Sequence, residues 1–298
     1  MPELPDITVY VERLAARLVG QPLVGVRLAS PFVLRTVTPA PKDLAGAKLV
    51  GVRRMAKRIV LELEGERFIA IHLMKAGRLL WKDPEPGAPA KIPGRLGLAA
   101  FDFPNGTVIL TEAGTKRRAS IHMLGDEAAL HALDPGGLEV MDADVAAFGA
   151  ALRKENHTLK RSLTDPHLFS GIGNAYSDEI FWEAGLSPVR LTSQLTDDEV
   201  RALFKATRST LKTWTARLRK QTGDGFPEKV TAFREEMAVH GRYGKPCPRC
   251  STPVQRIVYA ENETNYCARC QTGGKLLADR ALSRLLRGDW PKSIDEIA

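Results

Sequence analysis

Residues 247–270 read CPRCSTPVQRIVYAENETNYCARC, and this stretch holds all four cysteines of the 298-residue chain. The spacing is C-x2-C-x16-C-x2-C, so two short turns each present a pair of thiols. Four sulfur ligands at this spacing are typical of a tetrahedral structural Zn²⁺ site, which leaves no coordination position open for chemistry. Two disulfides are the alternative, which a reducing intracellular compartment disfavours. We therefore expect one structural zinc ion, bound by Cys247, Cys250, Cys267 and Cys270.

The residues between the two cysteine pairs alternate in polarity. Val254, Arg256 and Val258 precede a polar tip at 261–263, and Thr264 and Tyr266 follow it. This pattern predicts a β-hairpin that is too small to fold alone and that the metal holds together. Its tip either reaches a binding partner or forms a rigid lid that faces solvent.

The first half of the chain is predicted to contain one helix followed by strands. Pro5 and apolar residues at helical spacing predict a short helix that stops at Gly20. From about residue 23 to residue 124 the pattern changes to alternating strands joined by turns. The clearest strands are 58–63, 67–73, 97–103 and 107–111. They indicate a sandwich or barrel of antiparallel strands.

The chain after residue 142 shows helical patterns instead. Residues 143–240 read as a series of helices, and Thr196 with Glu199 forms a capping-box start for the last of them. A short helix from about Ala278, with Leu282, Leu285 and Leu286, is expected near the end of the chain. Together with the strands, these helices predict an α+β protein of several domains.

The charge of the chain is concentrated in one region. The whole chain carries a formal net charge of +8, and residues 201–250 alone hold 12 basic against 4 acidic side chains. Such a stretch favours a polyanionic partner, because neutralising phosphates releases condensed counterions; a solvated lysine-rich helix face is the alternative. No apolar run has the length of a membrane span, and MPELPDITVY lacks the features of a signal peptide. We therefore expect a cytoplasmic protein.

The amino terminus reads MPELP, and its residue types could take part in a reaction. Removal of Met1 would expose the secondary amine of Pro2, and an α-amino group titrates near pH 8, so a useful fraction is neutral at physiological pH. Such an amine attacks an aldehyde to form an iminium, and Glu3 beside it can donate or accept a proton. Many amino termini are frayed and have no function, so these residues alone are weak evidence.

Seven short segments, taken in order, resemble the formamidopyrimidine-DNA glycosylase / endonuclease VIII family. They are MPELPD (1–6), RRMAKRIVLEL (53–63), HLMKAG (72–77), TLKRSL (158–163), SGIGNAYSDEI (170–180), VHGRYGKPC (239–247) and CARCQ (267–271). The resemblance implies an N-terminal catalytic β-sandwich domain at 1–135, a helix-two-turn-helix DNA-binding domain at 143–240, and a zinc finger with a β-hairpin at 241–275. A helical tail at 276–298 would follow.

The resemblance also implies a chemistry. Pro2 would attack C1′ of a damaged nucleotide and expel the base, and Glu3 would protonate the deoxyribose ring oxygen. Lys57 would hold a phosphate or assist the elimination steps. Because the Schiff base acidifies the sugar protons, β,δ-elimination would then cut the strand. The implied activity is that of a bifunctional DNA glycosylase and AP lyase in base-excision repair, acting as a monomer on double-stranded DNA with damaged bases or abasic sites.

Other residues are implied to bind DNA, and some positions depart from the family pattern. Lys160, Asn174 and Arg242 match family positions; a helix cap alone would also explain Asn174. Where the family inserts side chains into the duplex, this chain offers Met74 or Lys75 in one loop, and in the other three cations without an aromatic residue: Lys116, Arg117 and Arg118. Asn262, between Glu261 and Glu263, replaces the family's finger arginine, which predicts weaker lesion binding.

Three functions therefore stay open at the level of the sequence. The first is a repair enzyme with altered DNA contacts, which the Pro2 and Glu3 pair favours. The second is a binder of damaged DNA that lacks catalysis or retains only the lyase step. The third is a zinc-ribbon protein that binds RNA or the ribosome, which explains the cysteines and the charge but not the amino terminus. The preferred damaged base is not readable from residues 222–237, where the family's lesion-sensing loop is expected.

Overall fold

The computed structural model describes residues 1–85, 87–114, 116–228, 230–259, 262–279, 284–286 and 289–297. The chain forms two compact units. One contains residues 1–135 together with 214–231, and the other contains residues 136–213 together with 232–298. The domain boundaries predicted from the sequence stay a prediction, since these units are defined by packing and not by function.

Helix α1 (Leu4–Leu18) opens the first unit and confirms the predicted N-terminal helix. The helix starts where Asp6 Oδ2 accepts a hydrogen bond from the backbone N–H of Glu3 at 3.0 Å. Ile7, Tyr10 and Leu14 recur on one face and are fully buried in the core of the unit. The helix therefore fixes the first residues of the chain against the strands behind it.

The strands form two antiparallel four-stranded sheets. One sheet has the order β1-β6-β7-β5 and the other the order β2-β3-β4-β8. The strands are β1 (Gly25–Leu28), β2 (Leu49–Met55), β3 (Arg58–Leu63), β4 (Arg67–His72), β5 (Gly77–Lys82), β6 (Gly97–Phe103), β7 (Gly106–Glu112) and β8 (Ser120–Leu124). Both sheets contribute buried side chains to one core, for example Ile69 and Ile71 from β4 and Phe101 and Val108 from β6 and β7. This arrangement is a β-sandwich, which decides between the two predicted architectures.

Up to residue 213 the second unit is mainly helical, and the last of these helices continues into residues assigned to the first unit. After the short helix α2 (Glu127–His131) of the first unit come α3 (Val145–Arg153), α4 (Leu159–Thr164), α5 (Asn174–Ala184) and α6 (Asp197–Thr222). The predicted capping box precedes α6: Glu199 Oε2 accepts the Thr196 N–H at 2.9 Å, and Thr196 Oγ1 accepts the Glu199 N–H at 3.3 Å. The described residues after Thr222 and before residue 241 contain no helix, so the helical prediction was too long by this segment.

The predicted finger hairpin is present and lies in the second unit. Strands β9 (Gln255–Tyr259) and β10 (Asn262–Tyr266) pair antiparallel, and α7 (Ala268–Thr272) follows. Leu276 and Ile294 of the tail pack on Ile257 and Tyr266 of the hairpin. The tail therefore covers one apolar face of the hairpin. Leu282 of the predicted tail helix lies outside the described residues, as does Glu261 of the hairpin tip.

The end of α6 and the residues after it pack in the first unit. Phe226 lies against Tyr10 of α1 and Trp81 of β5, with ring centroids 5.7 and 6.4 Å apart. Val230 is buried in the sandwich core. Within the described part of the chain, no helix is both long and apolar enough to cross a membrane.

Candidate active site and DNA-binding groups

The amino terminus is built into the core instead of being frayed. Pro2 is buried, and the side chain and backbone of Glu3 together are only 2% exposed. Burial lowers the pKa of the Met1 amine below that of an ordinary α-amino group. The carboxylates of Glu3 and Asp6 raise this pKa, and the charges of Arg78 and Lys57 lower it. These four charged groups therefore surround the nitrogen at the start of the chain.

Lys57 occupies the tip of the β2–β3 hairpin, immediately before β3 as the sequence predicts. Met55 pairs with Arg58, so Ala56 and Lys57 form a two-residue turn. Ala56 has a φ of 51°, an uncommon backbone conformation for a residue with a side chain, and Arg54 Nη1 donates to its carbonyl at 2.8 Å. The half-buried Lys57 side chain is thereby held close to the amino terminus.

The turn between β4 and β5 presents Met74 and Lys75. Met74 is half-buried with a φ of 52°, whereas Lys75 is exposed. The turn closes tightly, because the Gly77 N–H donates to the Leu73 carbonyl at 2.8 Å and a Cβ on Gly77 would lie 2.3 Å from that oxygen. The His72 ring faces this turn and accepts the Met74 N–H on Nδ1 at 3.1 Å. Burial and the charges of Arg58 and Lys57 lower the pKa of His72 to about 4, so the ring is neutral at physiological pH.

The loop between β7 and β8 carries the three predicted cations, and all of them are exposed: Lys116, Arg117 and Arg118. Glu112 at the end of β7 anchors this loop, although the sequence reasoning did not single it out. Its buried carboxylate accepts the backbone N–H of Arg118 at 2.9 Å and that of Ala119 at 3.0 Å. A carboxylate at the last position of a strand, just before a basic loop, is the signal that would have identified it.

In the second unit, Lys160 is buried beneath the turn that carries Asn174. Its ammonium donates to the Asn174 carbonyl at 2.8 Å, to Ser177 Oγ at 2.9 Å and to Asp178 Oδ1 at 2.6 Å. All three hydrogens of an ammonium are engaged by these contacts. The geometry supports a role for Lys160 in holding the start of α5, and its predicted contact with DNA stays a prediction.

Asp178 connects that turn to the finger. It is fully buried, and its second oxygen contacts His240 Nδ1 at 2.7 Å and accepts the Asn265 N–H of β10 at 3.1 Å. The half-buried Asn174 makes a parallel contact, since its Nδ2 donates to the Glu263 carbonyl at 2.9 Å. Asp178 lies one helical turn after Asn174, and that i, i+4 spacing is the signal from which it could have been recognised.

Glu179 and Arg242 stabilise the segment that leads into the finger. Glu179 accepts the backbone N–H groups of Ala238, Val239 and His240 at 2.8 to 3.0 Å. Burial raises the pKa of Glu179, and these three hydrogen bonds oppose that shift. Arg242 is half-buried and donates from Nη1 to the Glu235 carbonyl at 2.7 Å. Glu179 therefore has a structural role.

Asn262 lies at the exposed beginning of β10, where it pairs with Tyr259. Arg256 is the cation of the same hairpin, and it lies on the opposite face because it pairs with Asn265. Its guanidinium lies 4.3 Å from the Tyr243 ring centroid and 3.3 Å from Glu263 Oε2. Arg256 is thus engaged with other groups and does not stand in for the family's finger arginine.

The four cysteines fit one tetrahedral zinc ion. All four sulfur atoms lie within 4.8 Å of one another, with separations of 3.9, 3.4 and 3.5 Å for three of the pairs. Zn–S bonds of about 2.3 Å in a tetrahedron separate the sulfurs by about 3.8 Å. Burial raises the pKa of Cys267, and that of Cys270 to about 11. A bound cation is what keeps such thiols deprotonated at neutral pH, and the protein holds one structural zinc.

The comparisons with known proteins agree with this architecture. Residues 1–112 match the formamidopyrimidine-DNA glycosylase N-terminal domain, residues 133–222 its H2TH domain, and residues 244–273 the zinc finger found in FPG and IleRS. The formamidopyrimidine-DNA glycosylase of Chloroflexus aurantiacus is 33% identical over 91% of this chain and 98% of its own length. The chain belongs to the formamidopyrimidine-DNA glycosylase / endonuclease VIII family. It is accordingly a DNA glycosylase of base-excision repair.

Two further relatives extend the family comparison. A formamidopyrimidine-DNA glycosylase-like protein of Mycobacterium tuberculosis is 38% identical over 52% of this chain and 95% of its own length. A crystal structure of the Lactococcus lactis glycosylase, in complex with DNA that contains FAPY-dG, superposes with a TM-score of 0.78 at 25% identity. It covers 91% of this chain and 100% of the other.

The predicted site residues fall into two structural groups. Pro2, Glu3 and Lys57 come together around the amino terminus of the first unit. Lys160 and Asn174 come together at the start of α5 in the second unit, where Asn174 contacts the finger hairpin. Arg78, which the sequence reasoning did not single out, belongs to the first group. It follows the HLMKAG segment directly, and that adjacency is the signal from which it could have been recognised.

Proposed function

We propose that this family member is a bifunctional DNA glycosylase and AP lyase that works through a Schiff base on Pro2. The observation that carries the proposal is the burial of Pro2 and Glu3 at the start of α1, with the charge of Lys57 acting on the neighbouring α-amino group of Met1. A non-catalytic DNA binder has no chemical need for an ordered, charge-surrounded amino terminus.

The proposed reaction begins once Met1 has been removed. The lone pair of the Pro2 nitrogen forms a bond to C1′, and the bond from C1′ to the damaged base breaks, with the electron pair leaving on the base. Glu3 then delivers a proton to the ring oxygen, the bond from C1′ to that oxygen breaks, and the nitrogen loses its proton to become an iminium. Burial of Glu3 excludes bulk water from this proton transfer.

The iminium makes the C2′ protons acidic and so prepares the lyase step. Loss of a C2′ proton expels the 3′ phosphate, and a second elimination expels the 5′ phosphate. Lys57, at the rigid hairpin tip, is suited to hold one of these phosphates or to move a proton. The products are a strand gap and an unsaturated sugar on the enzyme, which water releases.

The nitrogen must be uncharged to react, and its surroundings favour that state. Burial disfavours the protonated amine, and the two cations Lys57 and Arg78 act in the same direction. Glu3 and Asp6 oppose them. These charges act on the Met1 amine, and we expect the Pro2 amine, one residue further along the chain, to lie among the same groups once Met1 is removed.

We further propose that duplex DNA contacts the remaining polar groups. Lys75, Lys116, Arg117 and Arg118 are exposed, and we expect them to contact phosphates or the gap left by an extruded base. Arg242 and Asn174 would contact phosphates, with Lys160 holding the Asn174 turn from beneath. The DNA in the complexes of structural relatives contains abasic sites or FAPY-dG, so these are the substrates with which to begin.

The decisive experiment uses duplex DNA with one abasic site and a reducing agent that traps iminium ions. We expect strand cleavage and a covalent protein-DNA adduct with the processed protein, and neither when the Pro2 nitrogen is blocked by retained or acetylated residues in front of it. Pro2→Gly should lower both strongly. Pro5→Ala, at the next proline of the same helix start, is the matched control and should retain both.

Two outcomes would contradict this proposal. Cleavage that persists when the amino terminus is blocked would exclude Pro2 as the nucleophile. A mobility shift of the DNA without cleavage would favour the alternative of a damaged-DNA binder, and cleavage of abasic sites without release of any damaged base would favour a lyase-only enzyme.

A further inference from the structure

Arg78, the second residue of β5, links two parts of the first unit that are far apart in the chain. Its Nε donates to the Val230 carbonyl at 2.5 Å, and its Nη1 donates to the Gly77 carbonyl at 2.6 Å. Gly77 closes the turn that presents Met74 and Lys75. One guanidinium therefore joins the Met74–Lys75 turn to the segment that follows α6.

That segment has a second, separate anchor around Phe226. The guanidinium of Arg17 lies 5.6 Å from the ring centroids of both Phe226 and Trp81, and its Nη2 donates to the Asp224 carbonyl at 3.0 Å. Arg17 is near the end of α1, about four helical turns from its start. Arg13 also pairs with Asp224, at 3.6 Å. Of these three arginines, only Arg78 is among the charges that act on the amino terminus.

The charges around the amino terminus come from three elements. Glu3 and Asp6 belong to the start of α1, Lys57 to the β2–β3 turn, and Arg78 to β5. Of the two cations, Arg78 lowers the pKa of the terminal amine more than Lys57 does. Its guanidinium cannot lose its own charge at physiological pH, in contrast to a lysine that is drawn into proton transfer.

We propose that Arg78 is a positioning residue of the glycosylase and lyase site, which fixes the Val230 carbonyl to β5 and keeps a permanent cation near the reactive amine. The proposal rests on the function proposed above. The Val230 carbonyl orients the Arg78 guanidinium. The position of Val230 and the pKa of the reactive amine therefore depend on the same side chain. Arg78 itself does not touch the reacting atoms.

The proposal gives a definite sign for the pH dependence. A neighbouring cation disfavours protonation of the amine, so its removal raises the pH at which the amine becomes neutral. The acid limb of the pH profile therefore moves to higher pH when the charge of Arg78 is lost. Loss of Arg17 loosens the same segment but leaves the charges at the amine unchanged, so it lowers the rate without moving that limb.

The test measures single-turnover cleavage of abasic-site DNA and reductive trapping from about pH 5 to about pH 9. In Arg78→Gln, we expect the midpoint of the acid limb to rise by about half a pH unit or more. In Arg78→Lys and in the control Arg17→Gln, we expect this midpoint to stay near the wild-type value. Arg78→Met, which keeps an apolar stem, supplies a second uncharged variant if Arg78→Gln does not fold.

The outcomes separate this inference from the proposed function. An unchanged midpoint in the uncharged variants, with adducts still formed, would overturn the role of Arg78 and leave the Schiff base intact. An equal shift in Arg17→Gln would also overturn it, because the shift would then come from segment docking alone. A wild-type protein that forms no adduct at any pH would instead refute the proposed function itself.

Discussion

The amino terminus and the tip of the finger hairpin are held by the fold in opposite ways. Pro2 and Glu3 are buried at the start of a helix whose apolar face belongs to the sandwich core. Asn262 is exposed at the beginning of a two-stranded hairpin. A substitution at the buried end disturbs the core and the charges around the amine, whereas a substitution at the exposed tip has little cost in folding. This chain keeps the family pattern at the first place and departs from it at the second.

The largest expected effect concerns the metal that makes the hairpin possible. Cys267→Ser should reduce the zinc content from about one per chain to near zero and abolish lesion-DNA binding, because metal binding supplies the folding free energy of such a small element. Metal analysis and a DNA-binding titration measure the two effects. Pro248→Ala, an exposed position between the first two ligands, should keep the zinc. A metal-free Cys267→Ser protein that binds DNA normally would show that the tip does not depend on the metal.

A smaller effect is expected where the start of α5 meets the finger. Asp178→Ala removes the partner of the buried Lys160 ammonium and of His240, and should lower the free energy of unfolding by about 3–5 kcal/mol. Urea denaturation is the measurement. Asp198→Ala, which breaks only an exposed ion pair with Arg201 on α6, should cost about 0.5 kcal/mol or less. Equal losses in the two variants would contradict the distinction between buried and exposed positions.

The next effect is a pH dependence of the free energy of unfolding, caused by a buried histidine of the first unit. The pKa of His72 is about 4 in the folded protein, below its ordinary value of 6.5. The unfolded chain therefore binds more protons between these values, so stability falls as the pH drops from about 6.5 to about 4. His122, whose pKa burial also lowers, contributes in the same direction. Unfolding of His72→Gln across this range should show a weaker dependence, and an unchanged dependence would mean that His72 is protonated in the native state.

The smallest effect is expected at the exposed tip. Asn262→Arg should tighten binding of duplexes with an abasic-site analogue by several-fold. The binding constant should also fall more steeply with salt concentration, by the amount expected for about one additional phosphate contact. Asn262→Gln keeps an uncharged amide and should change neither quantity. If both variants bind like the wild type, the tip does not reach the DNA, and the hairpin has the alternative role of a lid that faces solvent.

Much of the fold follows from local patterns in the chain. Apolar residues at helical spacing predicted α1, and the alternation in RIVLEL and RFIAIHL predicted β3 and β4 within one residue at each end. The cysteine spacing predicted the metal site without any knowledge of the fold. The helical prediction was too long after Thr222, because Phe226 and Val230 of the following segment pack on the sandwich core, and the backbone there forms turns instead of a helix.

Site residues could be predicted where they belong to a sequence motif. They could not be predicted where their role depends on contacts with residues that are distant in the chain. Lys57 is more than fifty positions from Pro2 and Glu3. Before the structure, only the family resemblance placed the three residues in one site. The resemblance implied that Lys160 binds DNA; in the structure it is 7% exposed and its ammonium contacts groups inside the protein. Helix spacing does not reveal which face of so short a helix is covered.

By itself, the sequence determined the metal ligands, the Pro2 and Glu3 pair on which the proposed chemistry rests, and the order of helical and strand-rich regions, because each of these depends on residue type and on spacing along one stretch of chain. Only the tertiary structure decided that the strands form a sandwich, that Asp178 ties Asn174 to the finger, and that Arg78 joins Val230 to the charges at the amine. The physical reason is that burial and electrostatics depend on atoms contributed by distant segments, and their distances are set only when the core packs.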